Sequence, residues 1–237
     1  MFLDSKISVK KLFVFFILMV GLGKVSLACD EKLDKDWEFI KEKDQVKIFK
    51  KKMEGSKLYG FAGCGEFPVD LKSLVYTLRE TDLAIEWVPK LVERKLFAGA
   101  TGTFGKTYNR FDLGFFLSQR DLVAEHKLQL DGDYLVVDSK SIIDSIGPNE
   151  GNVIRMDMSL NKIYFKSVSK DRTLILFLSH GDPKGALPAF IVNWIRTSFP
   201  ADYINGLVKT AKSYKPKSSF PEIESLISAY NKGNNAL

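Results

Sequence analysis

The chain has 237 residues, 45% of them apolar, and 35 Lys and Arg against 29 Asp and Glu give a formal charge of +6. That length allows one large domain or two small ones, and the ordinary apolar content predicts a full core. Four Lys and one Asp lie in residues 1–28, so the remainder carries 31 basic against 28 acidic side chains, too mild a balance to argue for a nucleic-acid partner.

Lys6, Lys10 and Lys11 precede an apolar run at 12–23, and Ser26-Leu27-Ala28 follows it. A basic start, a short apolar run and a small-x-small end form a cleavable export signal, cut after Ala28. Cys29 then becomes the first mature residue. It is open to lipidation, which anchors the protein to a membrane, or to a disulfide with Cys64. The expected organisation is a signal at 1–28, one domain at 29–216, and a tail at 217–237 with a short helix.

Residues 30–42 read as a helix with Leu33, Trp37, Phe39 and Ile40 on the apolar side. Strands are expected at 46–50 and at 58–67, the second curved by Gly60, Gly63 and Gly65. Asp70 caps a short helix at 71–79, and a second short helix or turn at 82–90 holds Trp87. Further strands are expected at 91–97, 104–112, 118–130 and 134–141, with Asp131-Gly132 the turn of the last hairpin. After a turn at 148–151, residues 153–160 alternate cleanly: Ile154, Met156, Met158 and Leu160 on one face, Arg155 and Asp157 on the other. Residues 161–168 continue it after a break, and 173–180 is the last strand. A glycine- and proline-rich turn at 180–188 then opens a helix of about seven turns, with Phe190, Trp194, Phe199 and Tyr203 on one side and Pro200 bending or splitting it. The economical arrangement is an α+β domain in which a curved antiparallel sheet grips this long C-terminal helix.

Motifs for covalent chemistry are weak. His126 and His180 stand outside any spaced metal motif, the cysteines are isolated, and no Gly-x-Ser-x-Gly occurs, so no metal and no cofactor is expected. The candidates are binding residues. Trp87, Tyr108, Phe177, Phe190 and Trp194 are chosen as apolar walls. Arg120, Arg155 and Asp157 are chosen for a polar head group or a buried pair, because a charge facing an interior needs a partner.

The order of these pieces resembles the START (StAR-related lipid-transfer) family. It rests on Trp37-Glu38 followed by Val46-Lys47-Ile48-Phe49, on Phe67-Pro68-Val69-Asp70 before a helix, and on Trp87 after a short acidic helix. It rests further on Arg120-Asp121 opening a strand, and above all on Asp182-Pro183-Lys184-Gly185-Ala186-Leu187-Pro188 followed by Val192-Asn193. The chain departs at Gly114 and at Lys184, where the family often has a proline and a glycine. The resemblance implies a helix-grip fold, with the sheet wrapped around the last helix and an internal apolar cavity between them. It implies binding and transfer of a lipid or other hydrophobic ligand, transient membrane contact, no nucleic acid, and a place in the periplasm or on the envelope surface. The loops at 113–117 and 181–188 are then candidate gates. Two alternatives stand beside it: a cyclase-like or hydrolase-like enzyme using Asp157 or His180, and an interaction protein with a collapsed cavity.

Overall fold

The computed structural model describes residues 29, 31–114, 117–142, 153–187, 192–193, 197–216 and 219–234. The expected export signal, the turn at 148–151, Phe190 and Trp194 lie outside the described residues. The strands are β1 (Glu38–Lys43), β2 (Val46–Lys52), β3 (Tyr59–Phe67), β4 (Leu91–Leu96), β5 (Phe104–Phe111), β6 (Arg120–Asp131), β7 (Tyr134–Ser141), β8 (Ile154–Arg155), β9 (Asp157–Ser169) and β10 (Arg172–Asp182). The helices are α1 (Leu71–Arg79), α2 (Ala84–Trp87), α3 (Phe199–Ser213) and α4 (Pro221–Asn234). Among the described residues no helix is long and apolar enough to cross a membrane.

Local chemistry sets several boundaries. Asp70 accepts the Ser73 N–H at 2.9 Å and starts α1. The helix expected at 30–42 is not formed: 31–36 is turn and bend, and 38–43 is strand β1. Asp44 and Gln45 both take positive φ, 50° and 67°, in the two-residue turn that lays β1 against β2. Pairing along β2 satisfies this backbone, and that outweighs a helical spacing of four apolar side chains. The expected C-terminal helix is split just before Pro200, with Val192 and Asn193 helical on the near side of the break. Residues 197–198 are turn and bend, α3 begins at Phe199, and Pro200 lies in its first turn, where a missing N–H costs nothing.

The sheet runs β1-β2-β3-β10-β9-β7-β6-β5-β4, and β8 pairs parallel to β6 beside it. Its remaining pairings are antiparallel. This corrects the expected helix-grip. The two end strands, β1 and β4, do not pair, so the sheet is open, neither closed nor curled around a helix. α3 lies over β2, β3 and β10 with α1 and α2 beside it, and α4 reaches β6. A 15-residue helix lies over three strands of a nine-strand path, which is too little to be wrapped by it.

Strand alternation gives the sheet two apolar faces. On the helix side, Ile163, Phe165, Ile175 and Phe177 join Leu74, Ile204, Leu207, Ile223 and Ile227 in the main core. On the far side, Cys64, Tyr134, Val136, Leu174 and Leu176 form a second cluster, with Leu33 and Trp37 packed against it. Cys29 belongs to that cluster because it is bonded to Cys64, with Cα atoms 6.0 Å apart. The bond overturns the expected localisation through a lipidated Cys29, since that sulfur is already used. Tyr134 donates to Glu31 at 2.6 Å, and Lys32 pairs with Asp131 at 3.0 Å, so the 29–37 segment is strapped across the far face.

Candidate ligand cavity

Beside the first turns of α3 the helix side of the sheet is not filled. A partly open cavity of about 290 Å³ lies there, floored by β4–β7 and β9 and roofed by parts of α1, α2, α3 and α4. Its walls are mostly apolar: Leu122, Leu128, Val137 and Ile163 from the sheet, Val75, Trp87 and Ile223 from the helices, and Met156 and Met158 at the β8–β9 junction. Of the residues expected on one face, Met156, Met158 and Leu160 line the cavity and Ile154 does not, Asp157 from the other face joins them, and the strand breaks at Met156 rather than after Leu160.

One strip of the floor is polar. Arg94 on β4 faces Asn109 on β5, and His126 on β6 faces Ser139 on β7, as direct cross-strand partners. Arg94 Nε–H donates to Asn109 Oδ1 at 2.7 Å, and Asn109 Nδ2–H donates to Thr107 Oγ1 at 2.8 Å. Along the same strip, Thr107 Oγ1 is hydrogen-bonded to His126 Nε2 at 2.7 Å and His126 Nδ1 to Ser139 Oγ at 2.8 Å. The imidazole is held neutral. Burial, and then the Arg94 charge, push its pKa down to about 3. Burial also lowers the pKa of Arg94 itself, and it raises Tyr203 to about 12.

The residues expected at the site fall into three groups. Trp87 lines the cavity, 3% exposed, with its ring edge-on to Tyr203 at 5.0 Å. Phe177 lies beneath that wall, stacked on Tyr203 at 4.3 Å with the rings 6° apart, in the filled core. Tyr108 occupies the opposite strand parity from Thr107 and Asn109, which line the cavity, so it points to the far face. There, burial and then the Asp121 charge push its phenol up to about 12.

The charged candidates hold the frame. Arg120 is 2% exposed and donates to the backbone carbonyls of Ser118, Pro183 (3.2 Å) and Lys184 (3.3 Å), which ties the turn after β10 to the start of β6. Arg155 makes a two-pronged pair with Asp121, at 2.7 and 3.0 Å, rather than with Asp157. Asp157 pairs with Lys184 at 2.8 Å, and its side chain is 56% exposed. His180 meets Ser159 at 2.6 Å and Ser56 at 3.2 Å. Of the expected gates, Leu113, Pro183 and Leu187 line the cavity, while residues 115, 116 and 188 lie outside the described residues. Among the described residues no cluster of His, Cys, Asp and Glu is placed to hold a metal ion.

The polar strip escaped the sequence reading. Its signal was there in β6, where Leu122, Ala124, His126 and Leu128 share one face and only His126 is polar. Strand parity alone picks it out as a polar group inside an apolar wall.

An open antiparallel sheet with a cavity under helices defines an α+β fold, and solved structures share it. No family model matches the chain. A StAR-related lipid transfer protein of Xanthomonas axonopodis superposes with a TM-score of 0.68 at 21% identity, over 75% of this chain and 99% of that one. Human StAR-related lipid transfer protein 5 gives 0.70 at 14% identity, over 83% and 96%. By sequence, the phosphatidylcholine transfer protein of Rattus norvegicus is 23% identical over 191 residues, 77% of this chain and 87% of its own. An uncharacterized protein of Pseudomonas aeruginosa is 21% identical over 180 residues, 76% and 89%. The chain therefore has structural and weak sequence homology to the StAR-related lipid-transfer superfamily, without a tie to a particular secreted bacterial branch of it.

Proposed function

We propose that the protein binds a lipid or other hydrophobic small molecule in this cavity and carries it, without covalent chemistry. The observation that carries the reading is the cavity itself: about 290 Å³ walled mostly by apolar side chains beside the main core. Protein interiors pack to the density of organic crystals, so a space of this size is kept for an occupant. Removing an apolar tail from water there contributes about 25 cal/mol per Å² of buried surface. The names of the relatives, lipid transfer proteins in three of the four comparisons above, support the same reading. In it, Trp87 is a wall, Arg120 and the Arg155–Asp121 pair hold the entrance loops in place, and Leu113 and Leu187 edge the opening. Native mass spectrometry of the full chain, purified without detergent, tests it. A bound species extractable as lipid is expected. A protein that flies empty, and stays empty after incubation with mixed lipid vesicles, would sink the proposal.

A further inference from the structure

The charges lining the cavity are unbalanced. Arg79, Lys90 and Arg94 border it, against the single carboxylate of Asp157, which Lys184 already neutralises at 2.8 Å. Arg79 is turned to the rim, where its Nε–H donates to the Thr101 carbonyl at 3.1 Å. Arg94 is different. Its Nε–H is spent on Asn109, and among the described residues neither an acidic partner nor an acceptor for its two terminal nitrogens is found. Arg94 is half-buried against the cavity, and a guanidinium partly withdrawn from water without a counter-charge is costly unless something supplies one.

The surroundings of Arg94 offer neutral polar groups rather than carboxylates. Tyr203 and His126 both feel its charge. Trp87 is edge-on to Tyr203, and its buried indole N–H has no acceptor. The neutral His126 is engaged on both nitrogens and brings no charge of either sign. What this end of the cavity lacks is an anion with several lone pairs. The rest of it is apolar, and its volume sits at the lower end of ligand pockets, about 300–1,000 Å³. That suits one acyl chain better than two.

We propose that the ligand is a single-chain amphiphile with an anionic head, a carboxylate or a phosphate monoester, whose head enters first and is held by the terminal nitrogens of Arg94. The inference rests on the lipid-binding reading and narrows its ligand class. A fork of two N–H groups on one guanidinium matches two oxygens of either head group. Asn109, Thr107, His126 and Ser139 act as positioning residues: the hydrogen-bonded chain that starts at Arg94 Nε fixes the plane of the guanidinium.

The test is displacement of the neutral dye Nile red from the full chain by oleate, oleoyl lysophosphatidate, oleyl alcohol and oleoyl lysophosphatidylcholine, each below its micelle concentration. At least one of the two anions should displace the dye at a concentration at least about tenfold lower than the alcohol does, as a charge-assisted hydrogen bond predicts. Tighter displacement by lysophosphatidate than by oleate identifies a phosphate source, and the reverse a carboxylate. In Arg94→Met the anion preference should vanish while the alcohol keeps its affinity within about twofold; Arg94→Lys should restore part of the preference. Equal displacement by the anions and the alcohol in the native chain overturns the inference and leaves lipid binding standing, as does a preference that survives Arg94→Met. Failure of the dye and of all four compounds to bind removes the lipid-binding reading and the inference with it. If Arg94→Met does not fold, the native comparison still decides.

Discussion

The two halves of the sheet meet the helices in opposite ways. Under α3, the chain removes side chains to bring the helix close. A Cβ built on Gly63 would stand 2.7 Å from that of Pro200, and one on Gly206 would stand 2.4 Å from the Trp87 carbonyl oxygen. Phe177, the cross-strand neighbour of Gly63, fills the adjacent space and stacks on Tyr203. Over β4–β7, full-sized side chains such as Leu122, Leu128 and Phe111 face the cavity, and the helices stay above it. A single sheet is thus packed solid under α3, where Gly63 admits the helix, and left hollow over β4–β7. Stability and ligand binding should therefore separate along the sheet.

The largest effect is expected in the solid half. Phe177→Ala should cost about 3–5 kcal/mol in urea unfolding, because the side chain is fully buried and Tyr203 cannot follow it down. Next comes Gly206→Ala, at about 1–3 kcal/mol, since the added methyl meets backbone that cannot swing aside. A wall residue should matter less: Leu128→Ala is expected to cost about 1–2 kcal/mol, because on its cavity side there were few contacts to lose. Equal losses for Phe177→Ala and Leu128→Ala would break the contrast between the halves.

The smallest effect sharpens the contrast instead. The folded-state pKa of His126 lies below its unfolded value, so the folded chain declines a proton that the unfolded chain accepts. Its contribution is present above about pH 6.5 and is lost as pH falls from there toward 3. Between pH 7 and 5.5 the loss should be about 1 kcal/mol. It should shrink in His126→Gln, read as the difference in urea midpoints. An unchanged pH slope in that variant would mean that this strip is open to water.

Much of the fold could be read from local signals. Asp70 announced α1, Asp131-Gly132 announced the β6–β7 hairpin, and alternation placed β9 and β10. What failed needed tertiary knowledge. The 30–42 segment has helical spacing, yet β2 offers its backbone a ladder. The sheet was expected to wrap the helix because that helix was read as seven turns long, whereas α3 covers only β2, β3 and β10. The site was less legible than the fold. Arg120 and Arg155 were singled out as charges near apolar runs, and both turned out to hold backbone or Asp121. Arg94, Asn109 and His126 sit on three different strands, and only the registers Arg94↔Asn109 and Thr107↔Ala124 bring them onto one strip.

The openness of the sheet has one more consequence, for how copies of the chain behave together. An unclosed sheet has two free edges, each a row of backbone groups on which another strand can add and begin aggregation. β1 ends the sheet with Glu38, Lys41, Glu42 and Lys43 exposed or nearly so, and β4 ends it with Glu93 and Lys95. A second copy docking on either edge would have to desolvate those charges and align them by sign. The charged end strands thus guard against edge-to-edge growth in a sheet that closure does not protect.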